Sequence, residues 1–311
     1  MKSFIEVCKM TQKEVKTYMA EYLTSREYTV ENHDGFLYAK GDVPVLLVAH
    51  MDTVHKQLPK TIYNIDGKIS SLQGIGGDDR CGIFIIMNIV KQLHCSVVLC
   101  EDEEIGAIGA RKFANSQFIN KLDVNYMIEF DRMNASDAVF YSCNNDKFTE
   151  FVIDFTGFKE AYGTFSDISV LGPASKIAAV NLSCGYYKAH TTDEYVVYDE
   201  MMDTVEAAKK LIEAECEKFE YIPKRQTSIW DNYDHPKSYG GYADYTGYGS
   251  TYKRKIPSRD LSIKLEVEFI DEEGNEDMGY GKGKTKAEAW LDFFETYDTV
   301  CFSQIIDYSF F

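Results

Sequence analysis

No stretch of this chain approaches the ~20 consecutive apolar residues that a membrane-spanning helix needs. Its start, Met1 to Met10, also lacks the uninterrupted apolar core of a secretion signal. A cysteine framework is missing too. The eight cysteines, at positions 8, 81, 95, 100, 143, 184, 216 and 301, form no Cys-x-x-Cys pair, and Cys81, Cys95 and Cys100 lie inside apolar runs. That is the habit of buried reduced thiols, and it points to a soluble protein of a reducing cytoplasm. Nor is there a basic excess. Against 33 Lys and Arg stand 50 Asp and Glu, a formal charge of −17, which excludes bulk electrostatic binding to nucleic acid or to an anionic membrane.

What is present is a set of apolar runs that end in metal-type ligands. Val45 to Ala49 runs into His50-Met51-Asp52, and Ser96 to Cys100 runs into Glu101-Asp102-Glu103-Glu104-Ile105-Gly106. Between them lies Gly76-Gly77-Asp78-Asp79-Arg80-Cys81-Gly82. Continuous Val and Leu runs read as strands buried on both faces, as in a parallel sheet covered by helices. The expectation is therefore an α/β fold: a three-layer, mostly parallel sheet with helices on both faces. In such sheets, ligands gather outside the carboxyl ends of the strands, which is where two of these clusters fall.

Singly, each cluster has an ordinary explanation: a surface pair, a turn, an acidic first helical turn. Their order and placement at element boundaries make that a chain of coincidences. His50 and Asp52 share a face of an extended segment, so one imidazole nitrogen can bind metal while a carboxylate such as Asp52 holds the other. Two divalent ions about 3.5–4 Å apart can share a hydroxide, polarise a carbonyl and hold an oxyanion. Imidazole and carboxylate donors suit zinc first, then cobalt or manganese. Adjacent Glu103 and Glu104 can divide the work between proton transfer and ligation.

His-x-Asp, then Gly-Asp-Asp-Arg-x-Gly, then Glu-Glu-Ile-Gly resembles the superfamily of co-catalytic di-zinc peptidases, which includes bacterial leucyl aminopeptidases, tripeptidase T and related carboxypeptidases and deacylases. Two further pieces match: Val124 to Phe130 ends in Asp131, and Tyr186 to Glu194 contains His190. The resemblance implies that Asp78 bridges two metal ions, that His50 and Asp131 complete one, and that Glu104 and His190 complete the other. It makes Glu103 the general base and Asp52 the partner of His50, and it implies a cis peptide bond between Asp78 and Asp79. Only 28 residues separate His50 from Asp78, and 59 separate Asp131 from His190, so the resemblance is to the minimal form without an inserted domain.

Elsewhere in the first 220 residues, Thr11 to Thr24 reads as an amphipathic helix capped by Thr11. Tyr28 to Lys40 reads as a strand pair turning at Asp34-Gly35. His33 and His55 fall outside the matched pattern and read as solvated loop residues. Cys81 to Leu93 and Gly106 to Asn115 read as helices. Arg80, Arg111 and Arg132 lie beside ligand clusters, where pairing with the site's acids is expected ahead of binding a substrate carboxylate. Asp137 to Cys143 and Phe148 to Phe155 read as strands around an Asn144-Asn145-Asp146 turn. Ser166 and Asp167 are further site candidates on a polar loop. Ile177 to Leu182 reads as the last strand, and Ser183 to Thr192 as the loop that delivers His190. In that loop Tyr186 and Tyr187 are expected to pack. Asp199 to Phe219 reads as a closing helix.

Three segments are expected: a catalytic domain at 1–222, a Tyr- and Gly-rich linker at 223–258, and a small α+β appendage at 259–311. The appendage contains Gly281-Lys282-Gly283-Lys284-Thr285, but not at the spacing of a phosphate loop, and it carries 5 basic against 13 acidic residues. The expected function is a metal-dependent exopeptidase, an aminopeptidase first, acting on peptides through a metal-bridging hydroxide and Glu103. The alternatives are a deacylase of N-acyl amino acids or carboxypeptidase of the same superfamily, and a non-catalytic metal-binding scaffold. Oligomeric state is not legible in the sequence.

Overall fold

The computed structural model describes residues 1–223, 263–270, 276–283 and 305–310, with Ala289 and Phe293 besides. The chain divides into two compact units, Met1–Ser228 and Ile229–Phe311. The 223–258 segment read as a linker lies almost wholly outside the described residues.

In the first unit two short helices lead, α1 (Phe4–Cys8) and α2 (Gln12–Thr24). As expected, Thr11 caps α2, and Glu14 returns the favour by accepting from the Thr11 backbone at 2.8 Å. The hairpin β1 (Val30–His33) and β2 (Phe36–Ala39) then enters the main sheet, followed by β3 (Val43–His50). A small hairpin, β4 (Tyr63–Ile65) and β5 (Lys68–Ser70), precedes α3 (Gly77–Ile89), β6 (Cys95–Cys100), α4 (Ile108–Ala114) and β7 (Tyr126–Arg132). The unit continues with β8 (Asp137–Val139), α5 (Asp146–Thr156), β9 (Lys159–Ala161), α6 (Asp167–Ser175) and β10 (Ala179–Ser183). It closes with β11 (Tyr186–Tyr187), β12 (Tyr195–Val197) and α7 (Tyr198–Glu213).

The main sheet has eight strands in the order β1-β2-β6-β3-β7-β10-β8-β9. Its centre, β6-β3-β7-β10, is parallel, while β2 runs antiparallel to β6 on one side and β8 antiparallel to β10 on the other. Strand alternation splits the core between two layers of helix. Leu47, Ala49, Val97, Leu99, Ile128 and Phe130 face the layer containing α3, α5 and α7. Leu46, Val48, Val98 and Met127 face the layer containing α4 and α6. Helix α3 is buried on every side, as its sequence Ile83-Phe84-Ile85-Ile86-Met87 requires. A second small sheet, β11-β12-β5-β4, stands apart from the first.

Two expectations need correction. Phe148 to Phe155 is not a strand but lies in α5. Phe148 and Val152, four apart, are its buried residues, Asn145 caps it by accepting from the Phe148 N–H at 3.2 Å, and Gly157 ends it with a left-handed φ of 71°. Helix α7 also stops at Glu213, six residues before the expected Phe219.

In the second unit, β13 (Ile263–Ile270) pairs antiparallel with both β14 (Glu276–Gly283) and β15 (Ile305–Phe310). Leu265 and Val267 are buried while Lys264 is exposed, so β13 alternates as its sequence does; Ala289 and Phe293 are helical and buried.

Candidate active site

The parallel strands deliver their carboxyl ends to one place. His50 is the last residue of β3, the loop 101–104 follows β6 directly, and Asp131 sits at the end of β7. Asp78 comes from the entry of α3, where Asp78 and Asp79 have non-helical dihedrals and the peptide bond between them is cis. His190 arrives on the loop between β11 and β12.

These side chains interlock. His50 Nε2 lies 3.0 Å from Asp78 Oδ1 and 3.4 Å from Asp131 Oδ1. His190 Nε2 lies 3.1 Å from Asp78 Oδ2 and 3.2 Å from Glu104 Oε2. The two carboxylate oxygens of Asp78 thus belong to two adjacent triads of donors. Behind them, Asp52 Oδ1 faces His50 Nδ1 at 3.1 Å, and its two oxygens accept the backbone N–H groups of Glu103 (3.0 Å) and Glu104 (3.1 Å). A single carboxylate therefore orients the imidazole and shapes the acidic loop at once.

Do these donors suit cations? With the Nδ1 proton of a neutral His50 directed at Asp52, the lone pair on Nε2 confronts the oxygens of Asp78 and Asp131. That contact is repulsive unless a proton or a metal ion lies between. His190 Nε2 likewise faces two carboxylates, Asp78 and Glu104, and Glu104 Oε1 is buried without a hydrogen-bond partner. The carboxyl groups tell the same story. Burial, with Asp131, Asp167 and Glu104 adding repulsion against the attraction of His50, raises Glu103 to about 9. Burial and the neighbouring Asp78 raise Asp131 to about 7, and burial raises Asp167 to about 6. Hydrogen bonds to Asp78 and Glu104 raise His190 to about 11. Burial opposes a charged His50, yet Asp131, Asp52 and Asp78 together raise it. Negative charge is in surplus here, and His50, Asp78, Glu104, Asp131 and His190 are donors that suit divalent metal.

Several residues support the site. Asp79, fully buried, accepts from the N–H of His50 (3.2 Å) and of Gly82 (2.8 Å). A Cβ at residue 82 would stand 2.1 Å from the Phe130 carbonyl oxygen and 2.5 Å from both Asp79 oxygens, so this close approach demands glycine. Ser166 donates to Asp131 Oδ2 at 3.2 Å and also bonds Glu129, and Tyr186 donates to Asp131 Oδ1 at 3.3 Å. Asn181 holds the Asp131 backbone from both sides, at 2.9 and 3.0 Å. Helix α2 reaches in as well: Gln12 exchanges two hydrogen bonds with Asp102, and Lys16 Nζ lies 2.6 Å from Glu101 Oε2.

The arginines behave otherwise than expected. Arg80, buried, donates to the carbonyls of Met51 (2.8 Å) and Met10 (3.1 Å); Arg111 donates to that of Gly106; Arg132 pairs with Asp137 at 3.3 Å. They brace backbone and a neighbouring strand, because each guanidinium reaches an acceptor closer than the site acids. His55 is not solvated either. Its Nε2 lies 2.8 Å from Glu194, a fully buried carboxylate to which the sequence assigned no role. Of the two tyrosines, Tyr186 is buried and bonds Asp131, whereas Tyr187 turns away to Glu200 at 2.6 Å.

The fold is that of known exopeptidases. An aminopeptidase, PepT, from Bacillus cereus ATCC 10987 superposes with a TM-score of 0.55 at 15% identity, over 67% of this chain and 96% of that one. A tripeptidase from Staphylococcus aureus subsp. aureus Mu50 gives 0.56 at 14% identity, over 67% and 95%. An aminopeptidase from the archaeon Desulfurococcus kamchatkensis gives 0.53 at 14% identity, over 68% and 94%. Family assignment rests on sequence: the chain belongs to peptidase family M28, whose profile matches residues 37–210. It is accordingly a metallopeptidase, a hydrolase dependent on divalent metal. No curated protein matches the chain.

Proposed function

We propose that this protein is an aminopeptidase in which Asp78 is shared between two divalent cations, one held with His50 and Asp131, the other with Glu104 and His190. The observation that carries the ligand assignment is the division of Asp78, one oxygen beside each histidine. When bound, the cations, zinc first and cobalt or manganese as substitutes, supply Lewis acidity and acidify water toward neutral pH. Residues 1–222 carry the activity.

Glu103 acts as general base. Its backbone is fixed by Asp52, its carboxyl group lies beside His50 and Glu104, and it can take a proton from the attacking water and pass it to the departing amine. Asp52 keeps His50 in the tautomer that leaves Nε2 available as a ligand. Arg80, Arg111, Arg132 and Lys16 are all committed to acceptors of the protein itself. Among the described residues, one carboxylate oxygen of Glu129 and both of Asp167, by contrast, have no hydrogen-bond partner. A site so furnished suits the ammonium end of a peptide ahead of its carboxylate end.

The test is mass-spectrometric hydrolysis of a mixed panel of free-amino peptides, N-acylated peptides and N-acyl amino acids after loading with zinc, cobalt or manganese. Sequential loss of N-terminal residues is the expected result. Release of acyl groups or of C-terminal residues would move the protein to the deacylase or carboxypeptidase branch, and metal binding without any cleavage would leave a scaffold.

A further inference from the structure

We infer that His55 and Glu194 form a positioning pair that sets the two ligands Asp78 and His190 relative to each other. Glu194 follows His190 by four residues on the same loop and is fully buried. One of its oxygens, Oε1, accepts the N–H of Asp78 itself at 3.0 Å. The other, Oε2, accepts the N–H of Gly76 at 2.8 Å and faces His55 Nε2 at 2.8 Å. The loop bearing one ligand is thereby bonded to the backbone of the turn bearing the other. A displacement of either must break charge-assisted hydrogen bonds in a buried setting, where they are strong and costly to leave unmade.

His55 completes the arrangement. It comes from the segment after β3, five residues beyond His50, and its side chain is only 10% exposed. The ring lies flat against the same turn: a Cβ at Gly74 would fall 2.1–2.5 Å from three of its atoms, and Gly74 has φ +83°. The imidazole thus occupies the space that glycine vacates, and its Nε2–H donates to Glu194. Three segments meet at one carboxylate: the loop after β3, the turn before α3 and the loop before β12. The first follows His50 directly, the second leads into Asp78, and the third carries His190. Neither His55 nor Glu194 faces the histidine triads, so their part is to fix geometry.

The inference rests on the reading of Asp78 and His190 as cation ligands, and zinc binding by the parent protein examines that first. Zinc affinity would be measured by chelator competition on the full chain, with circular dichroism melting in EDTA as a check on the fold. Three variants are compared: His55→Gln, which keeps a donor for Glu194; His55→Phe, which fills the space without one; and Glu194→Gln, which sets an amide N–H₂ against backbone N–H groups. We expect His55→Phe and Glu194→Gln to bind zinc roughly 10–100-fold more weakly. His55→Gln should remain within about threefold of the parent, the margin set by one retained neutral hydrogen bond. Should Glu194→Gln fail to fold, the two His55 variants decide. Parental affinity in His55→Phe, or equal weakening in His55→Gln and His55→Phe, would overturn the pair, since the hydrogen bond would then be irrelevant to the ligands. A parent that binds no zinc at all would instead overturn the cation reading.

Discussion

At the scale of single residues, the proposed ligands and the proposed base can be told apart by substitution. Glu103→Gln preserves size and the backbone bond to Asp52 but cannot accept a proton, so it should retain metal and lose at least about 100-fold in turnover, the usual worth of general base catalysis. Near-normal turnover in that variant would end the assignment. Asp78→Ala removes an oxygen from each triad and should abolish metal loading, measured by atomic emission after dialysis. The residues that the structure brings together were those most legible in the sequence, because His-x-Asp, Asp-Asp and Glu-Glu stand at element boundaries in an order that ordinary turns do not produce. Glu194 and His55 were not legible. Their importance lies in a contact across 139 residues, which no local pattern encodes.

Among elements, the buried strands β3, β6 and β7 announce themselves as apolar runs, and their ends follow at once. Helix α5 did not, since Phe148, Phe151, Val152, Ile153 and Phe155 are aromatic or β-branched and favour a strand when taken locally. The signals that decide it are the spacing of Phe148 and Val152, Asn145 in front and Gly157 behind. Asn145→Ala should therefore cost about 1 kcal/mol in urea unfolding, with no change in metal affinity. The second strand predicted for this region had no sheet to join: β8 is already paired with β10 and β9.

For the molecule as a whole, the surplus of buried negative charge makes stability depend on cations and protons. Without metal, Glu103 and Asp131 hold protons up to about 9 and about 7 in the fold, against ordinary values of 4.5 and 3.8. Between those limits the native state binds more protons than the unfolded chain, so rising pH favours unfolding. His190, raised to about 11 from 6.5, acts in the same direction, because its contribution is complete below 6.5 and fades as pH climbs. Asp78 and Asp52, held low, lose their contribution only in acid. In EDTA the melting temperature should fall from pH 5.5 to pH 8.5, and zinc should raise it and flatten the trend; a melting temperature that rises with pH in EDTA would contradict this balance. One support of the site has an unequal relation to the family's boundaries. The matched span begins at residue 37, yet the acidic loop is gripped by Gln12 and Lys16, and Arg80 by the carbonyl of Met10. A fragment cut to the family's limits would span every proposed ligand and still lose the splint on Glu101 and Asp102, so the matched span and the length of chain that braces the site differ.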